Sequence, residues 1–328
     1  MNLTITFAKN IFNTPLLCFL FGIIASVFSK SLKIPKKLST FLTVYILFCI
    51  GLKGGAPLAE NANSSAILFI SVTICLILWG FLNPLLSFLI LKKFTRLDGP
   101  TLSAIAASFG SVSVMTFITA TSFLEQIQVN YEKFVIAALA VMEVPAIISG
   151  VFIAKTFDKD KKVGQTGTSK AIRKSLCNKA IISILSGIIV GLVFYKLNIH
   201  TLNIAAQYTF KPALCLFLLD LGLRVGSQRE HLSSFSKALT TFGIYMPLIG
   251  GMFGLILSYL LHLDVGTGTL IAIISASASY IAVPAAMRIA LPEAKEAIYL
   301  PLSLGIAFPF NVIIGIPLYY YLSLWLLK

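Results

Sequence analysis

The sequence predicts an all-α polytopic membrane protein: ten transmembrane helices in two five-helix inverted repeats. Three observations predict it. The chain is 57% hydrophobic and only 12% charged, with a mean hydropathy of +0.92, whereas about a quarter of a soluble domain is charged. Apolar runs of about 20 residues recur along the length, the span a helix needs to cross a ~30 Å hydrocarbon core. A membrane barrel would instead show ~10-residue alternating segments. Thirdly, blocks of sequence recur at a nearly constant offset.

The ten spans fall at about 11–29, 38–56, 65–91, 101–123, 132–156, 178–197, 205–226, 237–262, 267–290 and 297–325. The first lacks a small-residue cleavage site and reads as a retained span. With the N-terminus outside, 20 of the 26 lysines and arginines fall on the inner side. The positive-inside rule then puts both termini outside a cytoplasmic (inner) membrane. The net charge of +14 therefore follows the membrane and gives no reason to expect nucleic acid. Residues 157–177 form a basic cytoplasmic linker between the first repeat, 1–156, and the second, 178–328. Its charge fixes topology; a docking surface for a cytoplasmic regulator or anionic lipid is the second reading. The five cysteines show no C-x-x-C spacing and predict neither disulfide nor metal site. His200, His231 and His262 lie at span ends or in loops and are assigned no role.

The repetition is specific. At an offset of 168, Thr101, Leu102, Ala104 and Ile105 meet Thr269, Leu270, Ala272 and Ile273, and Ser111, Glu125 and Tyr131 meet Ser279, Glu293 and Tyr299. Gly22-Ile23-Ile24 matches Gly187-Ile188-Ile189, and Gly51-Leu52-Lys53 matches Gly222-Leu223-Arg224. An odd number of spans per copy turns the second copy over, the architecture of many secondary transporters. The glycines at four-residue spacing predict close helix packing rather than chemistry.

Two hydroxyl-rich stretches stand out, Ser108-Phe109-Gly110-Ser111-Val112-Ser113 in span four and Ser275-Ala276-Ser277-Ala278-Ser279-Tyr280 in span nine. Backbone can leave the helix at membrane depth only where it is buried in protein or lines a cavity. Such a break frees N–H groups at a positive dipole end, suited to a small anion. Its hydroxyls and carbonyls suit Na⁺. Glu143 lies near the middle of span five, where an acid costs roughly 2.5–3.5 kcal/mol on insertion scales. A cation, a proton or a water-filled cavity must offset that. Its repeat partner Asn311 can offer a carbonyl oxygen. Asp220, four residues before Arg224, is explained by an i,i+4 pair.

Across nearly the whole chain the sequence resembles the sodium-dependent bicarbonate transporters of cyanobacteria and their bacterial relatives. The likeness is carried by Pro15 to Gly55, Phe109-Gly110-Ser111-Val112-Ser113, Met142-Glu143-Val144-Pro145-Ala146 and Ser277 to Pro292. The resemblance implies interrupted, crossing helices four and nine, with substrate and Na⁺ bound where they cross. It also implies a homotrimer and a trimeric, nitrogen-regulator-like cytoplasmic signalling protein as partner. Tyr280 stands where the family pattern has an Asp, Glu143 where it has an Asp, and Val114-Met115 where it has smaller residues. The first exchange removes a carboxylate from the ninth span.

The sequence thus predicts a Na⁺-coupled symporter, not an enzyme, for bicarbonate or a similar small anion. Backbone near Gly110, Ser111, Val112, Ser113 and Ala278, Ser279, Tyr280 is expected to bind the anion. Ser113, Thr116, Glu143, Ser277 and Asn311 are expected to bind Na⁺. The alternatives are a proton- or Na⁺-coupled carrier of small organic anions and, less well supported, a passive anion channel.

Overall fold

The structure, a computed structural model, describes residues 14–28, 32–60, 66–157, 179–197, 201–227 and 235–327. All regular structure among them is helical. In chain order the helices are α1 (Thr14–Phe28), α2 (Lys36–Glu60), α3 (Ala66–Phe94), α4 (Gly99–Gly110), α5 (Val114–Gln126), α6 (Phe134–Val141), α7 (Glu143–Phe157), α8 (Lys179–Lys196), α9 (Thr201–Ser227), α10 (Lys237–Leu260), α11 (Val265–Ala276), α12 (Ala282–Ala290) and α13 (Glu296–Leu326). The predicted linker lies, but for Phe157, outside the described residues. Four segments, Ile67–Phe94, Gly99–Gln126, Lys237–Leu260 and Glu296–Leu326, are each long and apolar enough to cross a bilayer. Two of them have apolar outward faces as well: Ile67, Ile74 and Leu78 of α3 and Met252, Ile256 and Leu260 of α10 are all exposed. Exposed apolar surface on that scale belongs against lipid.

Spans four and nine are each two helices, α4/α5 and α11/α12. Span five is also two, which the sequence reading had as one. Pro145 supplies no amide to the carbonyl four residues before it and its ring crowds that turn; that residue is Val141, where α6 ends. The last span stays continuous but passes through two π-helical stretches, Leu302–Ala307 and Asn311–Gly315. Pro309 and Pro317 remove two amides there, and i→i+5 bonds take over, such as Phe308 N–H to the Ser303 carbonyl.

The chain divides into two compact units that do not coincide with the sequence halves. One comprises Met1–Phe69, Glu132–Ala140 and Asn178–Arg229. Within it α1 packs on α9 and α2 on α8. Each of these pairs joins a helix from the first part of the chain to one from the second. The predicted glycines permit this approach: a Cβ on Gly22 would come within 2.4 Å of the Leu219 carbonyl oxygen, and one on Gly222 within 2.1 Å of that of Phe19. Gly187 meets the Phe48 carbonyl of α2 in the same way, at 2.3 Å.

The other unit comprises Ile70–Tyr131, Val141–Cys177 and Glu230–Lys328. Its core joins Phe88, Ile105, Phe109, Ile147, Phe242 and Met287, with Phe109 edge-on to Phe242 at 4.8 Å. Helices α4 and α11 are buried on all sides, from Pro100 to Gly110 and from Gly266 to Ala276. Neither carries a charged residue, as suits a central helix. Their breaks therefore open into the interior of this unit. The helices preceding the turns, α5 and α10, end in Schellman motifs without glycine. Gln128 (φ 58°) and His262 (φ 50°) take the left-handed position, and the Val129 and Leu263 amides reach back to the Leu124 and Ser258 carbonyls.

Candidate functional site at two broken helices

The half-helices before the breaks are built alike. Asp98 caps α4 by accepting from the Thr101 amide at 2.9 Å, and Asp264 caps α11 by accepting from Thr267, also at 2.9 Å. Each helix then runs for 12 residues. The caps are 166 residues apart, so the strict offset of 168 holds only after the breaks, at the starts of α5 (Val114) and α12 (Ala282). The second break is two residues longer. In this register Ser111 corresponds to Ser277 and Ser113 to Ser279.

The two breaks are bonded to each other. The Ser113 amide donates to Ser277 Oγ at 2.9 Å, and the Ser279 amide donates to the Ser108 carbonyl at 2.8 Å. Two helix C-termini and two helix N-termini thereby meet in one buried place. Positive ends (α5, α12) favour an anion and negative ends (α4, α11) favour a cation.

Side chains close the end of α11. The last four carbonyls of a helix have no intrahelical donor, and here three of them find one. The Ile274 carbonyl takes Ser277 Oγ at 3.0 Å, the Ser275 carbonyl takes Trp79 Nε1 at 3.3 Å, and the Ala276 carbonyl takes Asn311 Nδ2 at 3.0 Å. Trp79 is itself held flat on Phe253, 4.1 Å between ring centres. Gly250 of α10 lies against the Ser275 carbonyl, where a Cβ would come within 2.0 Å.

The residues at the two breaks separate into two groups. Ser113 and Ser277 are engaged in holding the breaks: Ser113 Oγ caps α5, accepting from the Thr116 amide at 3.2 Å and the Thr116 hydroxyl at 2.9 Å. Ser279 Oγ accepts from the Val283 amide at 3.3 Å. Gly110 has its Cα against Pro84, whose Cγ would lie 2.2 Å from an added Cβ. In the second group are buried polar atoms that bond to nothing among the described residues. They are Ser111 Oγ, Ser275 Oγ and Asn311 Oδ1. Val112 and Ala278, both buried, lie in the two breaks. Tyr280 is buried, its ring edge-on to Phe308 at 5.4 Å. Glu143 opens α7, but its side chain lies outside the described part of the structure.

Sequence reasoning missed Ser275, Trp79, Gly250 and Phe308 as parts of this site. Ser275 stood in a stretch already singled out; the others carry no local signal. Asp220 matches its simpler reading. It pairs with Arg224 at 2.8 Å and is buried with Ser39, whose hydroxyl donates to it at 2.6 Å.

An all-helical chain with apolar outer faces and a buried polar site at broken helices is a membrane transport protein. The family model of the Na⁺-dependent bicarbonate transporter superfamily matches residues 14–324. The chain belongs to that superfamily, a family of transporters and not of enzymes. No curated protein matches the sequence.

Proposed function

We propose that the protein is a Na⁺-coupled symporter of bicarbonate or a similar small anion in the cytoplasmic membrane. Its fold on this reading is ten transmembrane helices in two inverted repeats, 1–156 and 178–328. The observation that carries the proposal is the concentration of unpaired buried polar atoms at the two breaks. Native proteins pair most such atoms, so a cluster of exceptions on joined helix ends is what a ligand site requires. Ser111 Oγ, Ser275 Oγ and Asn311 Oδ1 supply oxygens of the kind Na⁺ prefers, next to the negative end of α11. The Val112 amide, two residues before α5, and the Ala278 amide, within the second break, would supply donors for an anion. Each ion would lower the cost of binding the other, since their charges cancel within a buried site. Transport then follows from movement of one compact unit against the other.

The partners implied by the family resemblance, two further copies of the chain and a nitrogen-regulator-like cytoplasmic protein, belong to this reading. Glu143 is assigned to the cation as well, because a bound cation offsets the cost of an acid in mid-membrane. The Tyr280–Phe308 pair favours a second reading, a small organic anion with an apolar body lying against the rings. Uptake into proteoliposomes, with Na⁺ and pH gradients imposed separately, tests both. Na⁺-driven accumulation of labelled bicarbonate, lost in Glu143→Gln with the protein still inserted, is the expected result. Accumulation of a short-chain carboxylate but not bicarbonate would select the second reading. Stimulation by the pH gradient alone would refute Na⁺ coupling.

A further inference from the structure

Away from the breaks, the last turn of α3 and the first two turns of α10 flank a cavity of about 470 Å³, lined by Ile90, Phe94, Ala238, Thr241 and Tyr245. Its floor is the hydrophobic core, against which Ile90 and Tyr245 pack. Tyr245 is braced edge-on by Phe242 at 5.5 Å. Its outer wall is open, and Phe94 is 63% exposed.

The charge around the mouth is mainly positive, and the nearest described acid in the sequence, Asp98, is paired with Lys295 at 3.3 Å. Lys92, Lys93 and Arg96 stand at the end of α3 and Lys237 begins α10, and all four are exposed. No acidic residue occurs in 80–97 or in 235–260. The ammonium of Lys93 lies over the Phe94 ring at 5.6 Å and that of Lys92 over Phe88 at 5.8 Å. Lysine stems laid along apolar rings with their charges at the helix ends have the form of side chains reaching toward a membrane surface.

We propose that this groove binds an anionic phospholipid of the surrounding bilayer, one acyl chain lying between α3 and α10 and the phosphate between Lys92, Lys93 and Lys237. An apolar slot at a helix end within a membrane is filled by lipid chains from its own leaflet. The cations decide which headgroup stays. The start of α10, with no acid in its first turn, adds a favourable dipole end. The inference rests only on the chain being a membrane protein and is independent of what it transports.

Native mass spectrometry of the detergent-purified protein, equilibrated with phosphatidylglycerol or with phosphatidylcholine of the same acyl chains, tests it. Each lysine near a headgroup is worth about fivefold in affinity. The wild type should therefore retain phosphatidylglycerol at least about tenfold over phosphatidylcholine. Lys92→Gln/Lys93→Gln/Lys237→Gln should lose most of that preference, and Ala238→Trp, which fills the slot, should hold neither. Equal retention of the two lipids by the wild type would overturn the proposal, and so would unchanged discrimination in the triple variant. Dissociation of an oligomer by Ala238→Trp, with lipid retention unaltered, would place a second copy of the chain there and overturn it too.

Discussion

Asn311 performs two separable tasks on the reading above, and replacing it separates them. Its Nδ2 donates to the Ala276 carbonyl at 3.0 Å, while its Oδ1 is buried and unpaired. In Asn311→Ala the carbonyl loses its donor in the interior, which costs about 1–3 kcal/mol. The loss of Oδ1 acts on sodium. A contact to a charged group is worth about 1.5–3 kcal/mol, or tenfold or more in affinity. Thermal unfolding of the purified protein in NaCl against KCl reads both quantities. At Na⁺ one hundred times its Kd, the wild type gains about 2.7 kcal/mol from binding. A tenfold weaker site at the same concentration gains about 1.4 kcal/mol. The variant should therefore melt lower in KCl and also show about half the Na⁺ increment. Gly315→Ala gives an independent check, because its Cβ would sit 2.7 Å from Asn311 Oδ1 and displace it. That variant should lose Na⁺ increment with less loss in KCl. A lower baseline with an undiminished Na⁺ increment in Asn311→Ala would refute the cation role and leave Asn311 as a helix cap only.

Ser277→Ala removes the acceptor of the Ser113 amide and should cost about 1–3 kcal/mol, read as a lower unfolding midpoint; Ser277→Thr, which keeps a hydroxyl, should recover most of it. Gly222→Val drives a side chain into the Phe19 carbonyl of α1 and should destabilise by about 1–3 kcal/mol or more, whereas Val225→Ala on the same helix should cost less than Gly222→Val in the same melt. At Asp98, burial pulls the carboxyl upward, but the Thr101 hydroxyl and amide and the Lys295 ammonium outweigh it and hold it below its ordinary value. A depressed carboxyl contributes stability above its unfolded pKa and loses it as pH falls through the folded one. Unfolding midpoints measured from pH 7 downward should fall more steeply below about pH 4 in the wild type than in Asp98→Asn.

Much of this was legible in the chain. Apolar runs marked the four segments long enough to cross a bilayer, because a hydrocarbon solvent imposes length and composition residue by residue. The hydroxyl-rich stretches at Ser108–Ser113 and Ser275–Tyr280 located the breaks, and the repeated glycines located the contacts of α1 with α9 and α2 with α8. The interruption of span five has its signal too, in Pro145, which breaks the helix even within a long apolar run.

What the amino-acid order could not decide is which polar atom bonds to which. Ser277 looked like a cation ligand, and folding commits it to the Ser113 amide 164 residues away. Ser275 looked incidental, and its hydroxyl is left unpaired. Trp79 and Gly250 enter only because α3 and α10 approach the end of α11. The two compact units likewise draw helices from both halves of the chain. Span length and helix breaks are set by local chemistry against the solvent, so the sequence determines them alone. Hydrogen-bond partners are chosen by distance in space, and only the tertiary structure sets those distances.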